Sequence, residues 1–255
     1  MSGAKEPVAE RPPWWRVARW FDSVATLGFP LRCPVCGATT ELDQRPWCSS
    51  CARQVRLWSE PVCPECRRFR SPNRADCPGG HEEAQPRFVV ALGAYDFALG
   101  VVVHALKYEG LQAVAAPLGQ MLAERVRAAV QCSAVVPVPT ARRKRRERGF
   151  GHAELIAGHL AQQLETPHFD DAIRFARRVA DQTRLSPAQR RANMHEAFAV
   201  RPGAGIKGKD VLVVDDVMTT GATITEAARA LLAAGAATVT GAIVALNLGS
   251  GPQDR

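Results

Sequence analysis

The sequence has no run of apolar residues as long as the roughly 18 that a membrane-spanning helix needs. It also shows no secretory signal, because Lys5 and Arg11 lead into Pro12 and Pro13 rather than into an apolar stretch with a small-residue cleavage site. Low-complexity tracts are absent too. We therefore expect a globular protein of the cytoplasm without a membrane span.

Acidic residues are outnumbered, since 25 Asp and Glu stand against 33 Lys and Arg and the net charge is +8. This balance favours an anionic partner or substrate without identifying it. The 255 residues are enough for one α/β domain with a sizeable core and a small additional module.

Cysteine is almost missing outside one short region. Seven of the eight cysteines lie between Cys33 and Cys77, and only Cys132 lies elsewhere. In a reducing cytoplasm, closely spaced cysteine pairs indicate metal ligands rather than disulfides. The pairs follow in the order Cys33 and Cys36, Cys48 and Cys51, Cys63 and Cys66, and Cys77 with His81.

A Cys-x2-Cys turn places two thiolates at the separation that tetrahedral zinc requires, and two such pairs complete a closed structural site. The spacing predicts one zinc ion bound by Cys33, Cys36, Cys48 and Cys51. A second set, whose last pair is irregular, consists of Cys63, Cys66, Cys77 and His81. Eleven residues separate the first pair from the second and the second from the third, so sequential and interleaved pairing both stay open. Free or redox-active thiols are the alternative to zinc.

The composition changes near Gln85 and Pro86. Residues 33–81 are rich in Cys, Pro and Arg and have little periodic apolar pattern, so we expect no conventional core there. The apolar residues of segment 14–29 predict an amphipathic helix that packs on the protein rather than on a membrane. The predicted parts are an N-terminal helical segment 1–28, a Cys-rich zinc module 29–84, a main domain 85–249 and a tail 250–255.

In the main domain, strand-like and helix-like patterns alternate. This alternation is typical of an α/β fold with an open parallel sheet. The predicted strands are 88–92, 134–138, 211–214 and 237–246, and the predicted helices are 112–130, 152–164 and 222–234. Polar residues 179–195 are expected to form a long mobile loop of the kind that is usually functional.

Strand 211–214 runs directly into Asp215-Asp216-Val217-Met218-Thr219-Thr220-Gly221-Ala222-Thr223. Ligands of open α/β sheets bind at the carboxyl ends of strands, where this segment begins. Backbone N–H groups and hydroxyls of the Thr/Gly turn can surround a phosphate, and the dipole of the next helix favours an anion. With two carboxylates available for sugar hydroxyls, the pattern predicts a site for a ribose 5-phosphate.

An ordinary strand–turn–helix with an exposed acidic turn is the structural alternative for this segment. It does not call for both the paired Asp and the Thr-Thr-Gly-x-Thr turn. No Lys follows Gly221, which excludes a Walker-type nucleotide loop.

A basic run follows the strand predicted at 134–138. Between Arg142 and Arg148, six basic residues accompany one acid, Glu147. Such a loop can neutralise a pyrophosphate, track a nucleic-acid backbone or form a solvated surface. Its position at the carboxyl end of a predicted strand favours the pyrophosphate.

The order of these motifs resembles a known family. The zinc knuckles precede Leu106-Lys107-Tyr108, Pro137-Val138-Pro139 with Arg148-Gly149-Phe150, then Arg190-Arg191-Ala192-Asn193 and the Asp-Asp-x-x-Thr-Thr-Gly motif. Over residues 29–246 the chain resembles the ComF family of competence-associated proteins, which have a type I phosphoribosyltransferase domain and include GntX-type proteins. Two positions differ, because Gly151-His152 stands where the family usually has Asn-Gln, and Glu196 where it usually has Gly.

The resemblance implies structural zinc and a site for phosphoribosyl pyrophosphate (PRPP) with Mg²⁺, over which residues 179–195 close. Asp215 and Asp216 are then the catalytic carboxylates at the ribose, and Lys107 and Arg191 are implied by the family pattern alone. The full predicted PRPP-binding set is Thr219, Thr220, Gly221, Ala222, Thr223, Arg142, Arg143, Arg148, Lys107 and Arg191.

Two kinds of function remain open at this point. One is an enzyme that transfers phosphoribosyl to an acceptor that the sequence does not identify. The other is a non-catalytic PRPP-binding module that binds single-stranded DNA or a helicase-like partner during DNA uptake.

Overall fold

The computed structural model describes residues 32–39, 46–72, 77–81, 85–180 and 185–248. The predicted N-terminal helical segment and the predicted tail lie outside these residues. The helices are α1 (Ser49–Ala52), α2 (Phe97–Tyr108), α3 (Ala115–Ala129), α4 (Arg142–Arg148), α5 (His152–Leu164), α6 (Pro187–Met194) and α7 (Ala222–Ala233). The strands are β1 (Val89–Ala94), β2 (Ala134–Pro137), β3 (Ile173–Phe175), β4 (Phe198–Val200), β5 (Asp210–Met218) and β6 (Thr238–Leu246). Within the described part of the chain, no helix is both long enough and apolar enough to cross a membrane.

Four strands form a parallel sheet in the order β1-β6-β5-β2, and β3 pairs with β4 in a separate antiparallel pair. The central strands are apolar on both faces because helices cover both sides of the sheet. Leu212 and Val214 of β5 belong to the core that contains residues of α3 and α5, whereas Val211 and Val213 belong to the core that contains residues of α7. The α/β fold class with an open parallel sheet is therefore confirmed.

Two regions that the sequence predicts as loops contain helices. The basic run forms α4, because Arg and Lys favour helices, and Gly149 ends it in a left-handed conformation with φ 82°. Part of the predicted loop 179–195 forms α6, which begins with a capping box between Ser186 and Gln189 and has Pro187 in its first turn. Proline is compatible with that position because the first N–H groups of a helix have no intrahelical partner.

The zinc module lies along the exposed edge of the sheet. Val62 of the zinc module and Val89 of β1 exchange two backbone hydrogen bonds of 2.8 Å. Trp58 N of the module donates to Leu92 O of β1, also at 2.8 Å. These contacts cover an edge strand whose backbone groups would otherwise be unpaired. Among the described residues of the zinc module, Trp47 and Cys51 are buried in one core of the main domain and Val62 is buried in the other.

Candidate active site and metal centres

A cleft of about 540 Å³ opens at the carboxyl ends of β2 and β5. Both carboxylates of the Asp-Asp pair line it, together with every residue of the turn 219–223. The parallel direction of the strands explains this meeting, because their carboxyl ends and the turns after them share one edge of the sheet. The two halves of the predicted ribose 5-phosphate site thus lie in a single cavity.

Asp216 is buried, and its carboxylate contacts two basic side chains. Its Oδ1 accepts a hydrogen bond from Lys107 Nζ at 2.7 Å, and its Oδ2 lies 3.6 Å from His152 Nδ1. Lys107 comes from the last turn of α2, and His152 is the first residue of α5. The neighbouring Asp215 accepts a hydrogen bond from the backbone N–H of Asp216 at 2.8 Å.

The environment moves the pKa values of the two carboxyls in opposite directions. Burial, together with the charge of Asp216, raises the pKa of Asp215 to about 7. Burial also acts on Asp216, but the Lys107 ammonium and the nearby His152 hold the pKa of that carboxyl well below its usual range. At neutral pH, Asp216 is therefore ionised while Asp215 is only partly ionised, so the pair can accept hydrogen bonds from sugar hydroxyls and hold one proton.

The turn after β5 has the geometry of an anion cradle. Gly221 adopts φ 78°, which glycine accepts without strain, and caps the N-terminus of α7. The Thr220 hydroxyl accepts a hydrogen bond from Ala222 N at 3.4 Å. Since the positive end of the helix dipole lies here, the turn favours a phosphate.

Five cationic side chains line the cleft against its two carboxylates, namely Lys107, Arg143, Lys144, Arg148 and Arg190. Successive helix residues point about 100° apart, so Arg190 and Met194 of α6 line the cleft while the neighbouring Arg191 is exposed and turned away from it. Arg142 of α4 is likewise exposed and outside the lining. The structure therefore brings Lys107, Arg143 and Arg148 of the predicted cations into the site and replaces Arg142 and Arg191 by Lys144 and Arg190.

His152 is a cleft residue that the pattern of motifs does not mark as part of the site. It is 3% exposed, and its Nε2 has no hydrogen-bond partner among the described residues. Its only signal in the sequence is the departure from Asn-Gln at this position. The other departure, Glu196, has φ 52°, a left-handed conformation for which glycine is the usual residue.

Two groups of potential metal ligands are assembled from sequential pairs. We call the group Cys33, Cys36, Cys48 and Cys51 the first centre, and the group Cys63, Cys66, Cys77 and His81 the second centre; within each, the ligand atoms lie within 4.8 Å of one another. The Sγ atoms of Cys36 and Cys48, and those of Cys66 and Cys77, are 3.7 Å apart. Tetrahedral zinc with bonds of about 2.3 Å places sulfurs about 3.8 Å apart, so both groups fit this metal.

Close packing at the second centre supports the same fit. A Cβ atom on Gly79 would lie 2.9 Å from both Cys66 Sγ and His81 Nδ1. The backbone N–H of Gly79 donates to Cys77 Sγ at 3.4 Å, a contact that stabilises a thiolate. The ligand groups are thus drawn tightly around one point.

Comparison with known proteins agrees with both parts of the chain. Residues 151–255 match the phosphoribosyl transferase domain, and residues 24–79 match the double zinc ribbon domain. The DNA utilization protein YhgH of Escherichia coli O157:H7 is 30% identical over 220 residues, covering 84% of this chain and 96% of that protein. Competence protein F of Haemophilus influenzae is 26% identical over 212 residues, covering 80% of this chain and 91% of that protein. The chain belongs to the ComF family.

For this ComF protein, the predicted type I phosphoribosyltransferase fold with an N-terminal zinc-binding module is confirmed. The double zinc ribbon match and the two ligand groups also support structural zinc. Among solved structures, an allosteric regulatory enzyme of purine biosynthesis is 26% identical, with a TM-score of 0.34 over 51% of this chain, which spans 25% of that protein's length.

Proposed function

We propose that this ComF protein binds PRPP with Mg²⁺ in the cleft and acts in the cytoplasm in DNA uptake or nucleotide-linked metabolism. The observation that carries the proposal is the joint lining of one cationic cleft by Asp215, Asp216 and residues 219–223. The names of the relatives, a DNA utilization protein and a competence protein, support the biological setting.

The lining residues divide among the three parts of PRPP. The turn 219–223 at the start of α7 holds the 5′-phosphate, and the Asp pair accepts hydrogen bonds from the ribose hydroxyls. The pyrophosphate then lies towards Arg143 and Arg148 of α4, with Lys144 beside them. Bound Mg²⁺ would neutralise part of the pyrophosphate charge.

Transfer of the phosphoribosyl group breaks the bond from ribose C1 to the pyrophosphate oxygen and forms a bond from C1 to a nucleophilic atom of an acceptor. Positive charge develops on the ribose while the pyrophosphate leaves with the bonding electrons. The ionised Asp216 stabilises the positive charge on the ribose, and the cations of α4 stabilise the negative charge on the leaving pyrophosphate. This is the contribution of the cleft if the protein acts as a glycosyltransferase.

Thermal unfolding with PRPP and Mg²⁺ tests the binding. A ligand at 100 times its Kd adds about 2.7 kcal/mol to the stability, a shift of several degrees. This shift in unfolding temperature should appear in wild type and in the control Asp171→Asn, which changes an exposed carboxylate outside the cleft. The double variant Asp215→Asn/Asp216→Asn should show none. Absence of a shift in wild type at millimolar PRPP contradicts the proposal.

The outer face of α4 favours a second function, in which the protein is a non-catalytic PRPP-binding module that binds single-stranded DNA or a helicase-like partner. Arg142 and Arg146 are exposed, and neither lines the cleft. Phosphate contacts from such side chains supply affinity that does not depend on base sequence. DNA binding at this face is therefore separable from ligand binding inside the cleft.

Removing these two charges distinguishes the functions. Arg142→Ala/Arg146→Ala should weaken single-stranded DNA binding and reduce the slope of log K against log salt by roughly 1.4, because each lost phosphate contact removes about 0.7. PRPP binding should not change. The control Lys207→Ala/Arg229→Ala removes the same charge at exposed positions outside the cleft. It should change neither single-stranded DNA binding nor PRPP binding. If no complex with DNA forms at low salt, the second function is wrong.

A further inference from the structure

The phosphate-binding turn rests directly on the second centre. A Cβ atom on Gly221 would lie 2.5 Å from the carbonyl oxygen of Pro64. Pro64 stands between Cys63 and Cys66, so this carbonyl belongs to a knuckle that supplies two ligands of the second centre. The bend of the turn and the bend of the knuckle are therefore in backbone contact, although Pro64 and Gly221 are 157 positions apart in the sequence.

The knuckle is anchored on both sides of this contact. Before it, Val62 is hydrogen-bonded to Val89 of β1 through both its N–H and its C=O. After it, Arg67 Nη1 donates to Leu248 O at 3.5 Å, just beyond the end of β6. The knuckle thus bridges the two strands β1 and β6 while it faces the turn.

The fourth ligand of the second centre, His81, is anchored close to the start of β1. Arg70 is 2% exposed, and its Nη1 donates to His81 O at 3.1 Å and to Arg87 O at 2.7 Å. Because a metal ion joins both ends of the second centre, the position of Pro64 depends on all four ligands. Without the metal, the link between the knuckle and His81 would be lost.

The conformation of a phosphate-binding turn depends on packing against the side of the turn that faces away from the ligand. N–H groups that bind the ligand are not available for hydrogen bonds within the turn, and the side-chain contact described inside it, from Ala222 N to the Thr220 hydroxyl, is long at 3.4 Å. Backbone packing then has to hold the turn in the binding conformation. In this protein, the Pro64 carbonyl provides that packing at Gly221, the residue with the left-handed backbone.

We propose that the second centre positions the phosphate-binding turn, with Pro64 as the positioning residue, so that metal occupancy of this centre and affinity for the phosphoribosyl ligand are thermodynamically coupled. The proposal rests on the proposed binding of PRPP in the cleft. By linkage, if metal loss weakens the ligand by a given factor, the ligand strengthens metal binding by the same factor. The first centre serves as the internal control, because the atoms nearest to a Cβ on Gly221 belong to Pro64 and Met218 and none belongs to a ligand of the first centre.

Two matched variants test the coupling in the full-length, zinc-loaded protein. Cys66→Ser opens the second centre, and Cys36→Ser opens the first. We expect Cys66→Ser to weaken PRPP binding at least about tenfold in calorimetry, and Cys36→Ser to change it less than about twofold. Equal losses in the two variants would mean that zinc only stabilises the protein as a whole, and would overturn the proposal.

Hydrogen exchange separates this inference from the proposed function, because it needs no ligand. Peptides covering 217–224 should exchange faster in Cys66→Ser than in Cys36→Ser, while peptides from α3 stay alike in both. If the amides of 217–224 are protected from hydrogen exchange equally in Cys66→Ser and wild type, the inference is wrong even if wild type binds PRPP. Faster exchange without PRPP binding by wild type supports the positioning of the turn by the second centre and rejects PRPP as the ligand.

A second pair of variants avoids any loss of a metal ligand. Gly221→Ala and Gly203→Ala both place a side chain on a residue with positive φ, 78° at Gly221 and 73° at Gly203. Only at Gly221 does the added Cβ meet Pro64. At Gly203, no other described residue beyond its chain neighbours lies within 4 Å of the added Cβ. Zinc release to a chelating dye should be about tenfold faster for one of two zinc equivalents in Gly221→Ala and unchanged in Gly203→Ala. In wild type, ribose 5-phosphate should slow that same phase. If Gly221→Ala releases zinc at the wild-type rate, the backbone contact does not couple the two sites.

Discussion

Lys107 Nζ and Asp216 Oδ1 lie 2.7 Å apart and join two residues that are 109 positions apart in the chain. The pair links the last turn of α2 to the end of β5, with side chains only 21% and 13% exposed. It keeps one carboxylate of the Asp pair ionised in a place where two unpaired negative charges would repel each other.

Lys107→Met should destabilise the protein by about 3 kcal/mol, because it leaves the buried Asp216 without its cation. The same change should weaken PRPP binding. Urea unfolding and calorimetry measure the two effects. Lys207→Met, at an exposed position outside the cleft, should stay within about 0.5 kcal/mol of wild type. If both variants behave alike, the Lys107 contact contributes nothing to the fold.

The two neighbouring aspartates should respond oppositely to replacement by Asn. The pKa of Asp215 is raised to about 7, against about 3.9 in an unfolded chain, so the stability that its proton confers is complete below pH 4 and is lost as the pH rises through 7. Asp215→Asn should therefore stabilise the protein at about pH 8 and have less effect at about pH 5.5. Asp216 and Lys107 are the charges that act on Asp215 directly. The other charged or titratable side chains that line the cleft are Tyr108, Arg143, Lys144, Arg148, His152 and Arg190.

Asp216→Asn should instead destabilise the protein, because the pKa of Asp216 is held below its usual range and its stabilising contribution is present above an unfolded pKa of about 3.9. Urea unfolding at both pH values, with Asp171→Asn correcting for effects of pH elsewhere, measures the two variants. A destabilised Asp215→Asn at pH 8 would contradict the assignment.

His152→Leu should weaken PRPP binding by about tenfold, or 1.4 kcal/mol, because it removes a buried polar ring beside Asp216. His152→Gln should retain more of the affinity, since its amide can still donate to the Asp216 carboxylate. Calorimetric titration with PRPP and Mg²⁺ checks both. His104→Leu, at an exposed histidine outside the cleft, is the control. Equal binding by all variants would remove His152 from the site.

The purified protein should contain two zinc equivalents, one for each ligand group. Sequential pairing predicts that Cys33→Ser/Cys36→Ser combined with Cys48→Ser/Cys51→Ser retains one equivalent. Cys33→Ser/Cys36→Ser combined with Cys63→Ser/Cys66→Ser should retain none, because it opens both centres. Elemental analysis of the purified variants reads out the numbers, and the reverse result would show that the pairs are interleaved.

Local patterns predict much of the fold. The helix predicted at 152–164 has the same bounds in the structure, because helical spacing of apolar residues is a signal within one element. The misassigned segments are those where charge or proline masks helix propensity, as in α4 and α6. Arg190 and Arg191 show the same limit at the level of the site, since the family pattern implies Arg191 and the rotation of α6 places Arg190 in the cleft instead.

From the order of its residues alone, the chain is readable as zinc knuckles followed by a strand, two carboxylates and a phosphate-binding turn, because each of these is a short-range motif. Sequence order cannot say that Lys107 and His152 meet Asp216, or that Pro64 supports Gly221, because those partners lie on different elements. Packing of the helices and of the zinc module on the sheet sets these contacts. Burial at that edge of the sheet then sets which carboxyl stays charged.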